Sequence, residues 1–441
     1  MTASRRFDWI VDRRAFTAWL LVLVTTMLVL IGCGRDDAAE RDKLVIIGID
    51  SADWTLLDPM LAEGRLPHLE GLYAESTRGR MLSFRPLEKS PLLWASICTG
   101  LRPEVHGVGG FVQGPDQKPV TSGAWLAPAL WDIAGAGGKS NAIIGMWMTY
   151  PARPINGVLV SDYLPYGKKH NRSLTGLASP DSLTEALAEL AVDPESLGVA
   201  ELARFLPGVD LDRCAETQGP LLEQLKAIHA ADLGYLNVAR RLAEADPFDV
   251  FLFYLRGPDM ISHKFWSFHD PSMGPSDQDP EAVAMFGHVV TAYYEWVDDV
   301  VGEVLGWFPD DRQVVTLSDH GFHGPRQTRR GVELGTQEHS PFGIFTVRSS
   351  RFEPGTSFDR LELLDVGPTL LALIGLPPSA EMPGHVLGEN LTDRGRPWHE
   401  QFETMRVESY QMLAPAAVES ENLPEVDEAI RRQLRSLGYI N

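Results

Sequence analysis

The sequence predicts an α/β sandwich built on a mostly parallel central sheet, and three observations carry that prediction. Four short, almost wholly apolar runs of strand length end in or beside a charged or polar residue. Segments with helical spacing separate them. No fixed-period repeat and no low-complexity tract competes with the alternation. Strands alternating with helices indicate a layered α/β chain. Continuous apolar runs suit strands covered on both faces of a parallel sheet.

The elements come in this order. Residues 1–32 read as an export signal. Arg5, Arg6, Arg13 and Arg14 make a positive start, and Ala18 to Ile31 is an apolar run too short for a confident membrane span. It closes at Leu30 to Cys33 (LIGC), which resembles a bacterial lipobox with Cys33 as the lipidated residue. Arg13-Arg14 leaves a twin-arginine route and ordinary secretion both open. Residues 33–42 are a polar tether. The folded domain is expected over 43–405, beginning at the strand Lys43 to Asp50 (KLVIIGID) and continuing with strands at 249–255, 313–319 and 342–347. Helical patterns lie at 128–136, 221–245, 281–306 and 360–374. The stretch 165–246 is rich in Leu, Ala and Glu, is broken by Pro180, Pro194 and Pro207, and reads as a mostly helical insertion capping the site. Residues 406–441 form a C-terminal extension whose segment 423–437 is an amphipathic helix, read as docking on the body or on a partner.

Composition narrows the function. The chain has 441 residues and 60 acidic against 39 basic side chains, a formal charge of −21. A nucleic-acid-binding surface needs clustered positive charge, so none is expected. Three cysteines exclude a disulfide scaffold. Besides Cys33, a Cys98–Cys214 pair is possible, though nothing in the sequence argues for it.

In open α/β sheets, reactive groups gather beyond the carboxyl ends of the strands. Asp50 ends the first strand. Asp259 and His263 follow the second, spaced to share one helix face, and Asp319-His320 end the third. His339 precedes the fourth. Each alone reads as a turn former or cap. Together, three Asp and three His offer a ligand set for two divalent cations. Ser90 precedes Pro91 at the start of an apolar helical run (SPLLWASICTG, 90–100), where it is either a helix N-cap or a nucleophile. A helix start also attracts anions such as phosphate.

Blocks in shared order then carry a resemblance: VIIGID (45–50), GRLPHL (64–69), SPLLWASICTG (90–100) with His106-Gly107, LWD (130–132), Tyr150-Pro151, PDMISH (258–263), SDHG (318–321), Glu338-His339 and DVGPTLL (365–371). From about Lys43 to Glu400 the chain resembles the type I phosphodiesterase/nucleotide pyrophosphatase branch of the alkaline phosphatase superfamily. The resemblance implies an alkaline-phosphatase-like three-layer α/β/α sandwich and a phosphoric ester hydrolase. It implies that Asp50, Ser90, Asp319 and His320 hold one zinc, with Ser90 as nucleophile forming a phosphoseryl intermediate. Asp259, His263 and His339 would hold a second zinc that activates water, the pair ~4 Å apart.

The family pattern has Thr at the nucleophile and Asn three residues on; here Ser90 and Leu93 stand there, which weakens nucleotide specificity. Lys89 is the candidate phosphate contact, against a solvated lysine. A sulfatase reading fails, because Ser90 lacks Pro at the second and Arg at the fourth following position. The expected protein is an exported, lipid-anchored phosphodiesterase facing the periplasm or cell exterior, acting on a phosphate-ester small molecule or a lipid head group. A phosphomonoesterase, a lipid-head-group phosphotransferase and a non-catalytic binding lipoprotein are the alternatives.

Overall fold

A computed structural model describes residues 42–167, 175–245, 248–324, 327–328, 331–332, 338–416, 428, 430–432 and 434–435. The export signal, Cys33 and most of 423–437 lie outside the described residues. Lys43–Asn441 forms one compact unit. Among the described residues, no helix is long and apolar enough to cross a membrane.

Eight strands make the central sheet: β1 (Leu44–Ile49), β2 (Thr77–Leu82), β3 (Asn141–Ile144), β4 (Gly157–Val160), β5 (Ala178–Ser179), β6 (Val250–Leu255), β7 (Gln313–Leu317) and β8 (Phe342–Arg348). Their order is β2-β8-β7-β1-β6-β3-β4-β5. The five inner strands β7-β1-β6-β3-β4 run parallel, while β8 is antiparallel to both β7 and β2, and β5 to β4. Every residue of β1 and β6 is buried, as continuous apolar runs require of strands covered on both faces.

Two sets of helices provide the cover. On β6, Phe251 packs against Phe308, just beyond α7 (Val289–Gly306), whereas Tyr254 meets Trp94 of α3 (Ser90–Thr99) edge-on with ring centroids 4.9 Å apart. Odd and even strand positions point to opposite faces, so α7 and α3 lie on opposite sides of the sheet. With α3 pack α4 (Leu130–Ala136) and α8 (Leu363–Leu373); with α7 pack α2 (Pro67–Ala74), α5 (Leu211–Ala245) and α6 (Gly257–His269). α1 (Trp54–Ala62) links β1 to α2. The result is a three-layer α/β/α sandwich.

Register aligns the sheet's working edge. Ile49 pairs with Leu255, and Gly48 with Leu317, so Asp50, Arg256 and Ser318-Asp319 step off three adjacent parallel strands together. Gly48 has a steric reason to lack a side chain. A Cβ there would lie 2.8 Å from the Trp94 ring and 2.9 Å from that of Tyr254, pushing α3 off the sheet.

Within 165–246, the described part is mostly helical, and it also supplies the edge strand β5. Its long helix α5 breaks at Gln218, two residues before Pro220, then runs to Ala245 packed on α6. Cys98 and Cys214 are both free and buried, so the possible disulfide does not form.

Candidate active site

The site is built on the carboxyl edge of β7-β1-β6 and completed by the starts of α3 and α6. Asp50, Asp259, Asp319, His320, His339 and Ser90 are each at most 4% exposed. The His263 side chain is 1% exposed. All seven candidate cation-site residues meet there.

Ser90 was expected to be either a helix N-cap or a nucleophile, and its hydrogen bonds exclude the cap. The cap of α3 is Lys89, whose backbone carbonyl accepts from Leu92 (3.0 Å) and Leu93 (3.2 Å). Ser90 sits one position inside the helix and caps nothing. Its Oγ lies 3.1 Å from Nε2 of His320. Nδ1 of His320 donates to the Gly321 carbonyl (3.1 Å), leaving Nε2 to present its lone pair to Ser90. Burial lowers the His320 imidazole well below its ordinary range, which keeps it neutral.

Around this pair lie Oδ1 of Asp50 and Oδ2 of Asp319, 3.6 Å and 3.5 Å from His320 Nε2. Tyr254 donates its hydroxyl hydrogen bond to the other Asp50 oxygen. Burial and the nearby Asp259 push Asp50 up to about 7, and burial with Asp50 pushes Asp319 well above the carboxylate range. Asp50 Oδ1 and both Asp319 oxygens are buried and accept no hydrogen bond among the described residues. Isolated buried carboxylates are costly, and a cation is the ordinary remedy.

A second group centres on Asp259, one turn into α6. His263 follows four residues later on the same helix face, and His339 enters from a two-residue strand, His339–Ser340, paired antiparallel with Gly321–Phe322. Asp259 Oδ1 is 3.4 Å from His263 Nε2 and 3.2 Å from His339 Nε2, and the two ring nitrogens are 2.8 Å apart. Two imidazole nitrogens so close need a proton or a cation between them. Glu338 fixes His263 from behind by a hydrogen bond to Nδ1. Burial opposes charge on His263, but Asp259 and Glu338 outweigh it and raise the imidazole to about 9. Burial alone would raise Asp259; His263 and His339 hold it well below the usual range.

Asp259, His263 and His339 thus offer ligand atoms within 4.8 Å of one another, as do Asp50, Asp259 and His320. The orphaned oxygens, the facing imidazole nitrogens and the mixed Asp/His donors all fit divalent cations. Glu338 and Tyr254 were missed as functional residues. Glu338 could have been found from its position beside His339; Tyr254 carries no sequence signal, being one more aromatic in an apolar strand.

Other candidates fall elsewhere. The Lys89 side chain runs beside Gly110 and is not part of the cavity at Ser90. His106 bonds Ser96 Oγ (2.9 Å) and accepts from Val108 N–H (3.2 Å), within its own turn. His323 donates to the Gly324 carbonyl.

The family model for type I phosphodiesterase/nucleotide pyrophosphatase matches residues 44–341. The chain belongs to that family. A comparison with curated proteins returns no match. Among solved structures, a putative sulfatase from Bacteroides thetaiotaomicron is similar over 79% of this chain and 74% of its own, at 14% identity and TM-score 0.50. An alkaline phosphatase superfamily protein from Vibrio parahaemolyticus covers 90% and 86%, at 14% identity and TM-score 0.42. Phosphonoacetate hydrolase from Sinorhizobium meliloti is matched over 66% of this chain and 59% of its own length, at 15% identity and TM-score 0.36. The chain therefore spans less than two thirds of that hydrolase.

Proposed function

We propose that the protein is a two-zinc phosphodiesterase whose nucleophile is Ser90. The observation that carries this reading is the contact of Ser90 Oγ with the unprotonated Nε2 of His320, inside a ring of carboxylates and imidazoles suited to cations. Asp50, Ser90, Asp319 and His320 would hold one zinc, and Asp259, His263 and His339 the other. When bound, the cations neutralise the carboxylates and favour the alkoxide of the serine and the charge gathering on phosphorus oxygens.

The chain's own residues do the rest. The start of α3 aims Ser90 Oγ into the site, and Gly48 lets the helix approach the sheet closely enough. Ser90 Oγ attacks phosphorus, forming the serine–phosphate bond as the ester bond to the departing alcohol breaks. Hydrolysis then returns the serine and releases phosphate or a monoester. Tyr254 orients Asp50, and Glu338 orients His263. Leu93 packs inside the core and offers no polar group to a nucleotide diphosphate, which favours simpler esters. The lipobox ending at Cys33 supports a lipid-anchored enzyme outside the cytosol.

Hydrolysis of bis-p-nitrophenyl phosphate and p-nitrophenyl phosphate in the presence of zinc tests the proposal. Diester turnover should exceed monoester turnover, and Ser90→Ala should lower kcat/KM by at least ~1,000-fold. Monoester preference would overturn the diesterase assignment; a fully active Ser90→Ala would overturn the nucleophile.

A further inference from the structure

Ser90, Asp50 and Asp259 open onto one cavity, and that cavity is unlike a site for a sugar or a nucleotide. Its wall is made of Phe111, Val120, Trp147, Met148, Tyr163 and Met260, among others. Of its two other charged residues, Asp162 serves the fold, whereas Arg256 keeps a buried Nε that makes no hydrogen bond among the described residues. The Asp162 carboxylate accepts the backbone N–H groups of Met148 (3.1 Å), Thr149 (3.2 Å) and Tyr150 (3.0 Å). The Arg256 guanidinium lies over the rings of Trp147 and Tyr235, 5.3 Å and 5.5 Å from their centroids. What faces the serine is chiefly apolar surface.

Ile430 and Leu434, from the far end of the chain, also line this cavity. They stand four residues apart on a helical segment, so both fall on one face. Leu434 is 3% exposed, and Ile430 packs against the Tyr150, Tyr163 and Tyr166 cluster. The opposite face is charged and solvated: Glu428 pairs with Arg431 and Arg435, each at 3.1 Å. With these residues in place the free space beside Ser90 is about 30 Å³. That is room for one water molecule and not for the organic group of an ester.

We infer that the cavity is a subsite for an apolar organic group of the phosphoester, and that Ile430 and Leu434 fill it in the resting enzyme. The inference rests on the reading of Ser90 as the site of phosphoryl chemistry. Substrate entry then requires Ile430 and Leu434 to give way, and an ester gains from its apolar group only what these side chains release. The strongest substrates are esters whose alkyl or acyl group is long enough to displace both side chains.

Tryptophan fluorescence, with Trp147 in the cavity wall, reads the subsite without turnover. The probes are n-octylphosphonate, methylphosphonate and n-octanol, and the proteins are the full chain, a chain ending at Ala416, and the full chain carrying Leu434→Glu. Octanol should bind at least 10-fold more tightly to the shortened chain and to Leu434→Glu than to the full chain. On the shortened chain, kcat/KM for alkyl p-nitrophenyl phosphates should rise about fourfold per methylene. The methyl ester should change little. Equal octanol binding by all three proteins, or weaker binding after truncation, would overturn the inference. Failure of the Ser90 reading shows separately, as octylphosphonate binding no better than octanol.

Discussion

Asp259 and Asp319 are both buried carboxylates beyond the same edge of the sheet, yet they are held in opposite ways. Asp259 is surrounded by partners: His263 and His339 lie within 3.4 Å and hold its pKa well below the usual carboxylate range, and Glu338 braces His263 in turn. Asp319 faces Asp50, and neither of its oxygens accepts a hydrogen bond among the described residues. One half of the site is balanced by its own side chains; the other takes up a proton or a cation. The lesson concerns what each half contributes to the fold. The Asp259 half should keep its charges in the cation-free protein, whereas the Asp50–Asp319 half should give up its charge to a proton until a cation binds.

The largest effect should be a difference of sign. In chelator-treated protein at pH 8, His263→Ala should lower unfolding stability by about 3–5 kcal/mol, because it leaves Asp259 and Glu338 buried without their partner. Asp319→Asn should instead raise it by about 1–3 kcal/mol, since an amide there removes a charge and can donate to Asp50. Urea unfolding measures both. Shifts in the same direction would dissolve the contrast.

Acid gives a reference from outside the site. Burial holds His106 and His229 near about 4, below the ordinary 6.5. Their neutral forms stabilise the fold fully above pH 6.5, and that contribution fades as pH falls toward 4, by at most about 3 kcal/mol each. Stability measured by urea from pH 7 to 4 should fall steeply, and less steeply in His106→Gln. An unchanged slope would place the acid sensitivity in the site's carboxylates instead.

The smallest effect sharpens the comparison most. Glu338→Gln should weaken cation binding at the Asp259 half by about 10- to 100-fold and leave the other half's occupancy intact. Competitive chelator titration reads both steps. Equal weakening of both cations would mean that the halves are one coupled unit.

The sheet's centre was legible because β1, β6, β7 and β8 are continuous apolar runs, the pattern of strands covered on both faces. Four strands escaped notice. β2 (TRGRML) lies at the sheet edge and alternates buried residues with arginines, and β3 and β4 are only four residues long, too short for periodicity to register. β5 is shorter still and is held by pairing with β4. The predicted helix over 281–306 proved to be two, Pro280–Phe286 and α7, parted at Gly287-His288.

In the site, all seven predicted cation-site residues converge, since metal-type side chains at strand ends are placed by the sheet itself. Glu338 and Tyr254 bond to His263 and Asp50; Glu338 was legible only as the neighbour of His339, and Tyr254 left no pattern of its own. The apolar cavity is a property of the folded chain alone, because its wall comes from segments as distant as Phe111 and Leu434.

The most direct test of Ser90 as nucleophile is to mix the zinc-loaded enzyme with bis-p-nitrophenyl phosphate, quench in acid within the first turnover, and map the protein by mass spectrometry. One phosphoryl-ester adduct on the peptide containing Ser90, absent from Ser90→Ala, is the expected result. A variant that still turns over the diester, or an adduct on another residue, would contradict it.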